Sequence, residues 1–432
     1  MISNVIYSGI NGTPKIPGDK SISHRSIIIP SISNGICEID NILKSEDVMH
    51  TLKAFKEMGV KIKDNKKKLI IFGRGLNSLK KPKKEIYLGN SGTSARLLTG
   101  LLSSQKFDTV LIGDNSLSRR PMKRIADPLE KMNAKIQTSD GTLPLLIRQS
   151  NLLPKNTDLI IPSAQIKSGL LLASLNTEGE TMITEFKITR DHTETMLKSF
   201  GANIDIKKQN NKKIIKIIGQ KELKSKNINV PNDLSSSAFF IVSALINANS
   251  HITLKKINNN PTRNGLLIAL KKMGAKISFS NEHVSNNENI CDIQVSSSNL
   301  IGCELGPEIA DLMIDEYPIL AIAASFASSP SIFHGLEELR VKESDRLNLI
   351  LLNLKRCGVN CKEENNNLYI YPSKNYAIKS NIIQTDFDHR IAMSFAVMGT
   401  KIGPLKIEDS NSINTSFPNF KEEFNKLGGK IN

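Results

Sequence analysis

The sequence predicts an α/β protein (α+β in the broad sense) made of two pseudo-equivalent halves, each containing three repeats of helix and strand. Three observations predict this fold class. A helix-to-strand signature occurs six times, and a short Pro-Asp-Ser segment occurs once in each half. In addition, 432 residues are too many for one ordinary hydrophobic core.

The repeated signature is a helix-like segment that ends in a small residue and leads directly into a strand. Glycine, or asparagine once, stands at the turn, and these residues suit a left-handed helix C-cap. The six segments are "LKAFKEMGVKI" (52–62), "DPLEKMNAKI" (127–136), "TMLKSFGANI" (195–204), "IALKKMGAKI" (268–277), "LLNLKRCGVN" (351–360) and "EEFNKLGGKI" (422–431). Their turn residues are Gly59, Asn133, Gly201, Gly274, Gly358 and Gly428. Strand-like runs such as "TVLIG", "HITLKKI" and "SIFHGL" fall between them, so the pattern predicts six α/β repeats.

A second similarity relates the two halves of the chain. "IPGDKSIS" at 16–23 matches "VPNDLSSS" at 230–237, with Pro, Asp and two Ser in register. The domains predicted from this match are 15–234, and 1–14 together with 235–432, with crossing segments near 15–20 and 230–236. A cleft between two such domains is a usual place for a ligand, and we expect "PGDKSISHRS" (17–26) to face it.

Composition excludes several classes of protein. No run of about 18 apolar residues predicts a transmembrane helix, and the N-terminus "MISNVIYSGI" lacks the features of a signal peptide. The five cysteines form no CxxC pair, which favours reduced thiols in a cytoplasmic protein. The histidines form no HExxH-like pattern. We therefore expect no protein-held metal, no membrane partner and a cytoplasmic location.

The net charge of +16 is also found in nucleic-acid-binding proteins. Lysine- and asparagine-rich runs such as "KEENNNL" (362–368) explain it more simply, as solvated turns between strands. The chain has no Trp and only 5% aromatic residues, without the basic-aromatic interleaving of RNA-binding proteins. We therefore expect no nucleic-acid partner.

Arginine is distributed differently from lysine. The chain has 45 lysines and 13 arginines, and nine arginines fall in short motif-like stretches. A guanidinium binds phosphate or carboxylate through two parallel hydrogen bonds, which an ammonium cannot do. Some of these arginines could simply cap helices or form surface ion pairs, but the distribution points to small anionic ligands. The nine are Arg25, Arg96, Arg119, Arg120, Arg124, Arg190, Arg340, Arg346 and Arg390.

The segment "PGDKSISHRS" has two interpretations. In the first, Pro-Gly forms a turn, Asp19 or Ser21 caps a helix, and the cations are solvated. In the second, Lys20 and Arg25 join the hydroxyl groups at a helix start to bind an anion. The segment alone does not decide between them.

Eight stretches, in this order, resemble the 5-enolpyruvylshikimate-3-phosphate (EPSP) synthase family. They are "PGDKSISHRS", "LGNSGTSARLL" (88–98), "DNSLSRRPM" (114–122), "PSAQIKSGLLLA" (162–173), "TRDHTETML" (189–197), "MIDEYPILAIAA" (313–324), "LRVKESDRL" (339–347) and "DFDHRIAMS" (386–394). The "SAQ" and "RDHTE" residues are similar to those of its bacterial branch. The resemblance spans nearly the whole chain.

The resemblance implies an enolpyruvyl transferase fold (an inside-out α/β barrel) of two domains, each with three βαβαββ repeats, and an active site in the interdomain cleft. It implies transfer of the enolpyruvyl group of phosphoenolpyruvate to the 5-hydroxyl of shikimate 3-phosphate, by addition and then loss of phosphate, in the shikimate pathway. It implies no metal or organic cofactor. The expected partners are these two small molecules, and we expect a monomer.

The resemblance also assigns the site residues. Those matching the shikimate 3-phosphate site are Lys20, Ser21, Arg25, Ser163, Ala164, Gln165, Arg190, Asp315 and Lys342. Those matching the phosphoenolpyruvate site are Lys20, Asn90, Gly92, Arg120, Gln165, Arg346, His389 and Arg390. The catalytic residues are Lys20, Asp315 and Glu343.

The two carboxylates have alternative roles that the sequence leaves open. Asp315 is the expected acceptor of the 5-hydroxyl proton, but it could instead be the N-cap of the following helix. Glu343 is expected to exchange a proton near the enolpyruvate methylene, but it could instead form an ion pair with Arg346, three residues on. Which carboxylate serves which step is not decided by the sequence.

Two positions bear on ligand choice. Some family members carry a bulkier residue at the position of Gly92 and tolerate the herbicide glyphosate, so glycine here predicts sensitivity. Another branch carries a lysine shortly before a "TFP" segment, where this chain has Thr415 in "NTSFPNF". The enolpyruvate site is therefore expected to have one cation fewer.

The alternative enzyme is the related transferase that acts on UDP-N-acetylglucosamine. It typically has a reactive cysteine in the loop before its Arg-Pro pair and reads Lys-Asn near its start. This chain has no cysteine in "GDNSLSRRP" and reads Lys-Ser, so we do not favour that activity.

Overall fold

The computed structural model describes residues 1–65, 68–210, 212–373 and 375–432, which divide into two compact units. The N unit consists of residues 18–230 with 285–288, and the C unit of 1–17, 231–284 and 289–432. The buried apolar side chains form one cluster in each unit. The domain boundaries predicted from the sequence stay a prediction, because compactness does not test whether a segment folds alone.

The described residues form thirteen α-helices and twenty-three strands. The helices are α1 (Lys20–Ser31), α2 (Glu46–Glu57), α3 (Gly92–Ser103), α4 (Lys123–Glu130), α5 (Ala164–Ser174), α6 (His192–Ser199), α7 (Leu234–Ile246), α8 (Gly265–Lys272), α9 (Pro307–Met313), α10 (Tyr317–Ser325), α11 (Arg346–Arg356), α12 (His389–Ile402) and α13 (Phe420–Lys426). The strands are β1 (Ile2–Ser3), β2 (Asn11–Gly12), β3 (Asn34–Asp40), β4 (Lys61–Asp64), β5 (Lys68–Arg74), β6 (Ile86–Tyr87), β7 (Thr109–Ile112), β8 (Lys135–Ser139), β9 (Thr142–Arg148), β10 (Asn156–Leu159), β11 (Glu180–Glu185), β12 (Asn203–Gln209), β13 (Lys212–Ile218), β14 (Ile228–Asn229), β15 (His251–Asn258), β16 (Lys276–Ser285), β17 (Glu288–Ser296), β18 (Glu304–Leu305), β19 (Ser331–Phe333), β20 (Asn360–Glu364), β21 (Asn367–Tyr371), β22 (Ile382–Ile383) and β23 (Leu405–Ile407).

Five of the six sheets among these residues follow one plan, and in the sixth β23 pairs in parallel with β22 and antiparallel with β1. A short strand pairs in parallel with the first long strand of a repeat, which pairs antiparallel with a hairpin, as in the order β6-β7-β9-β8. The other sheets of the N unit are β14-β3-β5-β4 and β10-β11-β13-β12. Those of the C unit are β2-β15-β17-β16, β18-β19-β21-β20 and the three-stranded β22-β23-β1. The prediction of six α/β repeats is confirmed, and "KEENNNL" forms the predicted turn between β20 and β21.

The six turn residues of the signature have the predicted conformation. Their φ angles run from 71° at Asn133 to 104° at Gly428, in the left-handed region that glycine and asparagine tolerate best. Each of these turns ends a helix that keeps one face exposed, such as α2 before Gly59.

At each of the two Pro-Asp-Ser segments the chain passes from one unit to the other. The strand β2, which precedes α1 in the chain, pairs with β15 in the C unit, whereas β14, which precedes α7, pairs with β3 in the N unit. The matched aspartates have the same role, since Asp19 caps α1 and Asp233 caps α7. The similarity between the halves therefore marks equivalent helix starts.

Each unit has three buried helices, which we call the core helices: α1, α3 and α5 in the N unit, and α7, α10 and α12 in the C unit. Every residue of α7 is buried, as its apolar sequence on all faces predicts. Within the C unit the three core helices pack against one another. No helix among the described residues has both the length and the apolar character that a membrane crossing needs.

Candidate active site

In each unit, most of the predicted site residues lie at the N-terminal ends of the core helices. Lys20 and Ser21 begin α1, Gly92 begins α3, and Ala164 and Gln165 begin α5. In the C unit, His389 and Arg390 begin α12, and Asp315 stands two residues before α10. The first turn of a helix presents unpaired N–H groups and a partial positive charge, which favour anions.

Side-chain caps fix five of the six core-helix starts. Each cap accepts a hydrogen bond from a backbone N–H of the first turn, at 2.8 to 3.4 Å. The caps are Asp19, Ser91, Ser163, Asp233 and Asp388. The N-cap residue of α10 is Glu316, without a side-chain cap bond, so the interpretation of Asp315 as an N-cap is wrong.

Arg25 is buried in the N unit among neutral acceptors. Its Nε donates to Thr193 Oγ1 at 2.6 Å and its Nη2 to Ser168 Oγ at 2.8 Å. Its Nη1 donates to the Ser21 carbonyl at 2.9 Å. Burial, partly opposed by Glu194, lowers the pKa of Arg25 to about 10, so it stays charged at neutral pH. The interpretation of Arg25 as a solvated cation is wrong, since only 3% of it is exposed.

Lys20 and His24 occupy the first turns of α1. Lys20 Nζ lies 2.5 Å from Asp47 Oδ2, and its side chain is 18% exposed. His24 Nδ1 lies 2.8 Å from Thr51 Oγ1, which contacts Ser94 Oγ at 2.6 Å. Burial, and then Lys20 and Arg25, lower the pKa of His24 well below its usual value, so this ring is neutral. The hydroxyls of Thr51 and Ser94 thus connect the start of α1 to the start of α3.

A second group of cations lies around Gly92. Arg96 Nη1 donates to Gln165 Oε1 at 2.7 Å, and Arg120 Nη2 donates to Asn90 Oδ1. A β-carbon on Gly92 would lie 2.9 Å from Arg96 Nη1 and 3.0 Å from Arg120 Nη1. Glycine at this position therefore leaves both guanidinium groups in place beside the helix start.

The remaining predicted residues of the N unit lie close by on the third repeat. Ser163 caps α5 and Ala164 is its first residue. Arg190 stands in the loop between β11 and α6, next to Thr189, whose hydroxyl donates to Glu185 Oε1 at 2.5 Å. The structure thus brings all the predicted N-unit residues to the starts of α1, α3, α5 and α6.

In the C unit, Arg346 is surrounded by carboxylates. Its Nε donates to Asp388 Oδ2 at 2.8 Å and its Nη1 to Asp315 Oδ1 at 3.0 Å. Its Nη2 donates to Glu343 Oε2 at 2.5 Å. Burial works against the charge, but Asp388, Glu343 and Asp315 raise the pKa of Arg346 above its usual value. The predicted pair of Glu343 with Arg346 is present, although Glu343 lies before α11 and not on it.

Arg390 belongs to a second chain of contacts in the C unit. Its Nη1 donates to the Asp315 carbonyl at 3.2 Å and lies 3.5 Å from Glu316 Oε1. Glu316 also accepts from the Ser235 hydroxyl, which in turn accepts from Arg263 Nη2 at 2.6 Å. Asp315 is therefore held by Arg346 at 3.0 Å and flanked by Arg390 at 3.9 Å.

The last two predicted residues are Lys342 and His389. Burial and the nearby Arg346 lower the pKa of Lys342, against the opposing effect of Asp315. His389 Nδ1 lies 3.3 Å from the hydroxyl of Thr415, which donates to the Ser412 carbonyl at 2.8 Å. The position where this chain departs from the family pattern is thus in contact with a predicted phosphoenolpyruvate residue.

Several residues of these clusters were missed by sequence reasoning. Glu316 and Asp388 lie within the recognised motifs, each next to a predicted site residue, and Arg96, one of the nine motif arginines, was given no site role. Asp47 and Arg263 lie outside every motif, so the sequence offered no signal for them. Among the described residues, no group of three or more His, Cys, Asp or Glu side chains is arranged to hold a metal ion.

Comparison with known proteins gives one consistent family. A family model described as EPSP synthase (3-phosphoshikimate 1-carboxyvinyltransferase) matches residues 6–424. A 3-phosphoshikimate 1-carboxyvinyltransferase of Ruthia magnifica subsp. Calyptogena magnifica is 46% identical over 98% of this chain and 97% of the relative. One of Pseudomonas sp. (strain PG2982) is 43% identical over 98% and 95%. A solved EPSP synthase structure from Acinetobacter baumannii matches with a TM-score of 0.85 and 42% identity, covering 99% of this chain and 97% of the other.

Proposed function

The chain belongs to the EPSP synthase family, and from this premise we propose how its own residues carry out the reaction. It is a 3-phosphoshikimate 1-carboxyvinyltransferase, which transfers the enolpyruvyl group of phosphoenolpyruvate to the 5-hydroxyl of shikimate 3-phosphate. The single observation that supports our residue assignment is that, in each unit, most of the matched residues lie at the starts of the core helices.

Shikimate 3-phosphate is bound by cations and hydroxyls of the N unit, together with Lys342 and Asp315. Arg25 supports this role because it is charged, buried and fixed by three neutral acceptors, which leave its charge available to a phosphate. The N-unit residues assigned to this substrate are Lys20, Ser21, Arg25, Ser163, Ala164, Gln165 and Arg190.

Phosphoenolpyruvate is bound by arginines held near its expected position. Arg120 is fixed by Asn90, and Gln165 is fixed by Arg96, so the two groups keep their orientation beside Gly92. From the C unit, Arg346, His389 and Arg390 are assigned to the same substrate.

Proton transfer falls to Lys20, Asp315 and Glu343. In the addition step the 5-hydroxyl oxygen bonds to C2 of the enolpyruvate and loses its proton, while C3 gains one. In the elimination step C3 loses a proton and the C2–O bond to phosphate breaks. We assign the 5-hydroxyl proton to Asp315, because a carboxylate accepts about four hydrogen bonds and Asp315 can serve the arginines and the substrate together.

We also propose a cytoplasmic monomer with two folding domains, 15–234 and 1–14 with 235–432, and without a nucleic-acid partner. The five cysteines are free and buried, which suits a reducing compartment. Gel filtration tests the monomer, a salt-dependent DNA shift assay tests nucleic-acid binding, and separate expression of the two segments tests the domains.

Phosphate release from the two substrates is the direct test. The wild-type chain is expected to release phosphate only when both shikimate 3-phosphate and phosphoenolpyruvate are present. Lys20→Met is expected to lose at least about a hundredfold in kcat, because a positioned proton-transfer group contributes 10²–10⁴-fold. The matched control is Lys81→Met, at an exposed position, which is expected to keep full activity.

Two results would contradict this proposal. Full activity of folded Lys20→Met would remove Lys20 from the mechanism. Phosphate release with UDP-N-acetylglucosamine in place of shikimate 3-phosphate would favour the alternative transferase.

A further inference from the structure

The N unit contains four buried charged side chains that take no direct part in the proposed reaction. We call Lys167, Glu185, Glu194 and Lys213 the buried charge cluster. Their side chains are 0 to 3% exposed. They come from α5, β11, α6 and β13, so the cluster connects the main elements of the third repeat.

Each of the four charged groups lies within 4.0 Å of both groups of opposite charge. Lys167 Nζ lies 2.9 Å from Glu185 Oε2 and 2.7 Å from Glu194 Oε1. Lys213 Nζ lies 3.0 Å from Glu194 Oε1 and 3.8 Å from Glu185 Oε2. Burial disfavours the charge of Glu194, but the two lysines lower the pKa of this carboxyl to about 2. Two lysines and two glutamates paired in this way carry no net charge.

The cluster holds the residue that precedes Arg190. Glu185 Oε1 accepts from the Thr189 hydroxyl at 2.5 Å and from the Thr189 N–H at 3.3 Å. Lys167 donates its third hydrogen bond to the Thr189 carbonyl at 3.3 Å. Residues 186–191 form neither helix nor strand, so these three bonds fix a loop that has no regular structure of its own.

The cluster is also continuous with the groups that hold Arg25. Ser168 follows Lys167 on α5, and Thr193 precedes Glu194 on α6. The Thr193 hydroxyl donates to Ser168 Oγ at 2.7 Å, and both hydroxyls accept from Arg25. A shift of either helix start would move an acceptor of the Arg25 guanidinium.

Stability alone does not explain four buried charges. Apolar side chains of similar volume would join these elements at least as well, because buried ion pairs gain little over the loss of hydration. Only charged or polar groups, however, supply directional hydrogen bonds to all three polar groups of Thr189.

We propose that Lys167 and Glu185 are positioning residues for shikimate 3-phosphate: through Thr189 they fix Arg190, and through the starts of α5 and α6 they fix Arg25. The inference rests on the proposed function, because it takes Arg25 and Arg190 as ligands of this substrate. Loss of the cluster should weaken binding of shikimate 3-phosphate and leave the KM for phosphoenolpyruvate nearly unchanged.

A matched pair at Thr189 tests this without removing a charge. Thr189→Val removes the hydroxyl that Glu185 holds, and Thr189→Ser keeps it. Titration calorimetry with shikimate 3-phosphate is expected to show a Kd about tenfold higher for the valine variant and a Kd within about twofold of wild type for the serine variant, as for loss of one charge-assisted hydrogen bond. Equal Kd values for the two variants would overturn the proposal.

The neutral double variant Lys167→Met/Glu194→Gln tests the cluster itself. It removes one charge of each sign, and its expected Kd for shikimate 3-phosphate is at least about tenfold above wild type, with the KM for phosphoenolpyruvate at saturating shikimate 3-phosphate within about twofold. The control is Lys216→Met, which breaks the exposed pair with Glu180 on the same sheet and should change neither value. An unchanged Kd in the double variant would overturn the role of Lys167. If that variant does not fold, the Thr189 pair decides.

Arg25→Ala separates this inference from the proposed function. A normal Kd for shikimate 3-phosphate in Arg25→Ala would refute the residue assignment on which both depend. A raised Kd in Arg25→Ala, with normal values in the Thr189 and Lys167 variants, would refute the positioning role alone.

Discussion

Arg25 of the N unit and Arg346 of the C unit are both predicted site residues and both buried, but their hydrogen-bond partners differ. Arg25 donates to two hydroxyls and one carbonyl, whereas Arg346 donates to three carboxylates. Burial lowers the pKa of Arg25 to about 10, whereas the carboxylates raise the pKa of Arg346. A guanidinium held by neutral groups keeps its charge for an incoming anion. A guanidinium held by carboxylates has, beside its assigned contact with phosphoenolpyruvate, a second role: it orders those carboxylates, two of which are our candidates for proton transfer.

The largest effect that this comparison predicts is on the chemical step. Asp315→Asn keeps the shape of the side chain and removes its basicity, so kcat should fall about 10²–10⁴-fold. Binding of shikimate 3-phosphate should weaken less than about tenfold, because the N-unit cations remain. Steady-state phosphate release and calorimetry measure the two quantities. Glu308→Gln, exposed on α9, is the control, and a loss of binding larger than the loss of kcat would contradict the division of roles.

The two arginines should also differ in their contribution to the free energy of unfolding. Arg346→Met leaves three carboxylates without their shared cation, and the free energy of unfolding should fall by about 3 to 5 kcal/mol. Arg25→Met leaves neutral hydroxyls that can still bond to each other, and the loss should be about 1 to 3 kcal/mol. Urea unfolding at pH 7 measures both values. A larger loss in Arg25→Met would reverse the comparison.

The repeats were predictable from the sequence because each one ends a helix with a local, strong signal. A left-handed turn residue followed by a strand depends on a few neighbouring residues, and all six had the expected φ. The core helices carried a weaker signal, because helices such as α7 are apolar on every face and show no helical periodicity.

The partners of the site residues could not be predicted from the sequence, because they are far apart in the chain. Arg346 meets Asp388 of a later repeat, and Arg263 reaches Glu316 through the Ser235 hydroxyl. The neutral surroundings of Arg25 also depend on tertiary packing, since Ser168 and Thr193 come from α5 and α6. The motifs thus predicted the site residues, whereas the hydrogen-bond partners of those residues were found only in the structure.

Gly92→Ala tests how closely Arg96 and Arg120 are positioned beside the start of α3 in the N unit. The new β-carbon would lie within about 3.0 Å of guanidinium nitrogens of Arg96 and Arg120, so both groups must move by a few tenths of an ångström. We expect wild type to be inhibited by glyphosate in competition with phosphoenolpyruvate. In the variant the KM for phosphoenolpyruvate should rise by up to roughly tenfold, as for one weakened charged contact, and the Ki for glyphosate, a longer molecule, should rise more.

Inhibition kinetics and calorimetry decide the Gly92 prediction. The Kd for shikimate 3-phosphate should stay constant in the variant, because Arg25 is not displaced. Ser104→Ala, at the far end of α3, is the control. Non-competitive inhibition of wild type, or an unchanged Ki in Gly92→Ala, would contradict the prediction.

The smallest predicted effect is the contribution of His24, in the N unit, to the pH dependence of stability. Burial, Lys20 and Arg25 lower its pKa in the folded chain, so below pH 6.5 the unfolded chain binds a proton that the folded chain does not. This group therefore leaves stability unchanged above pH 6.5 and decreases it as the pH falls, by about 0.7 kcal/mol between pH 7 and pH 6. His24→Asn should show a correspondingly smaller loss in urea unfolding at the two pH values, whereas substitution of the exposed His251 in His251→Asn should not. An identical pH dependence in wild type and His24→Asn would mean that burial and the two cations leave the pKa of this histidine unshifted on folding, and would contradict the prediction.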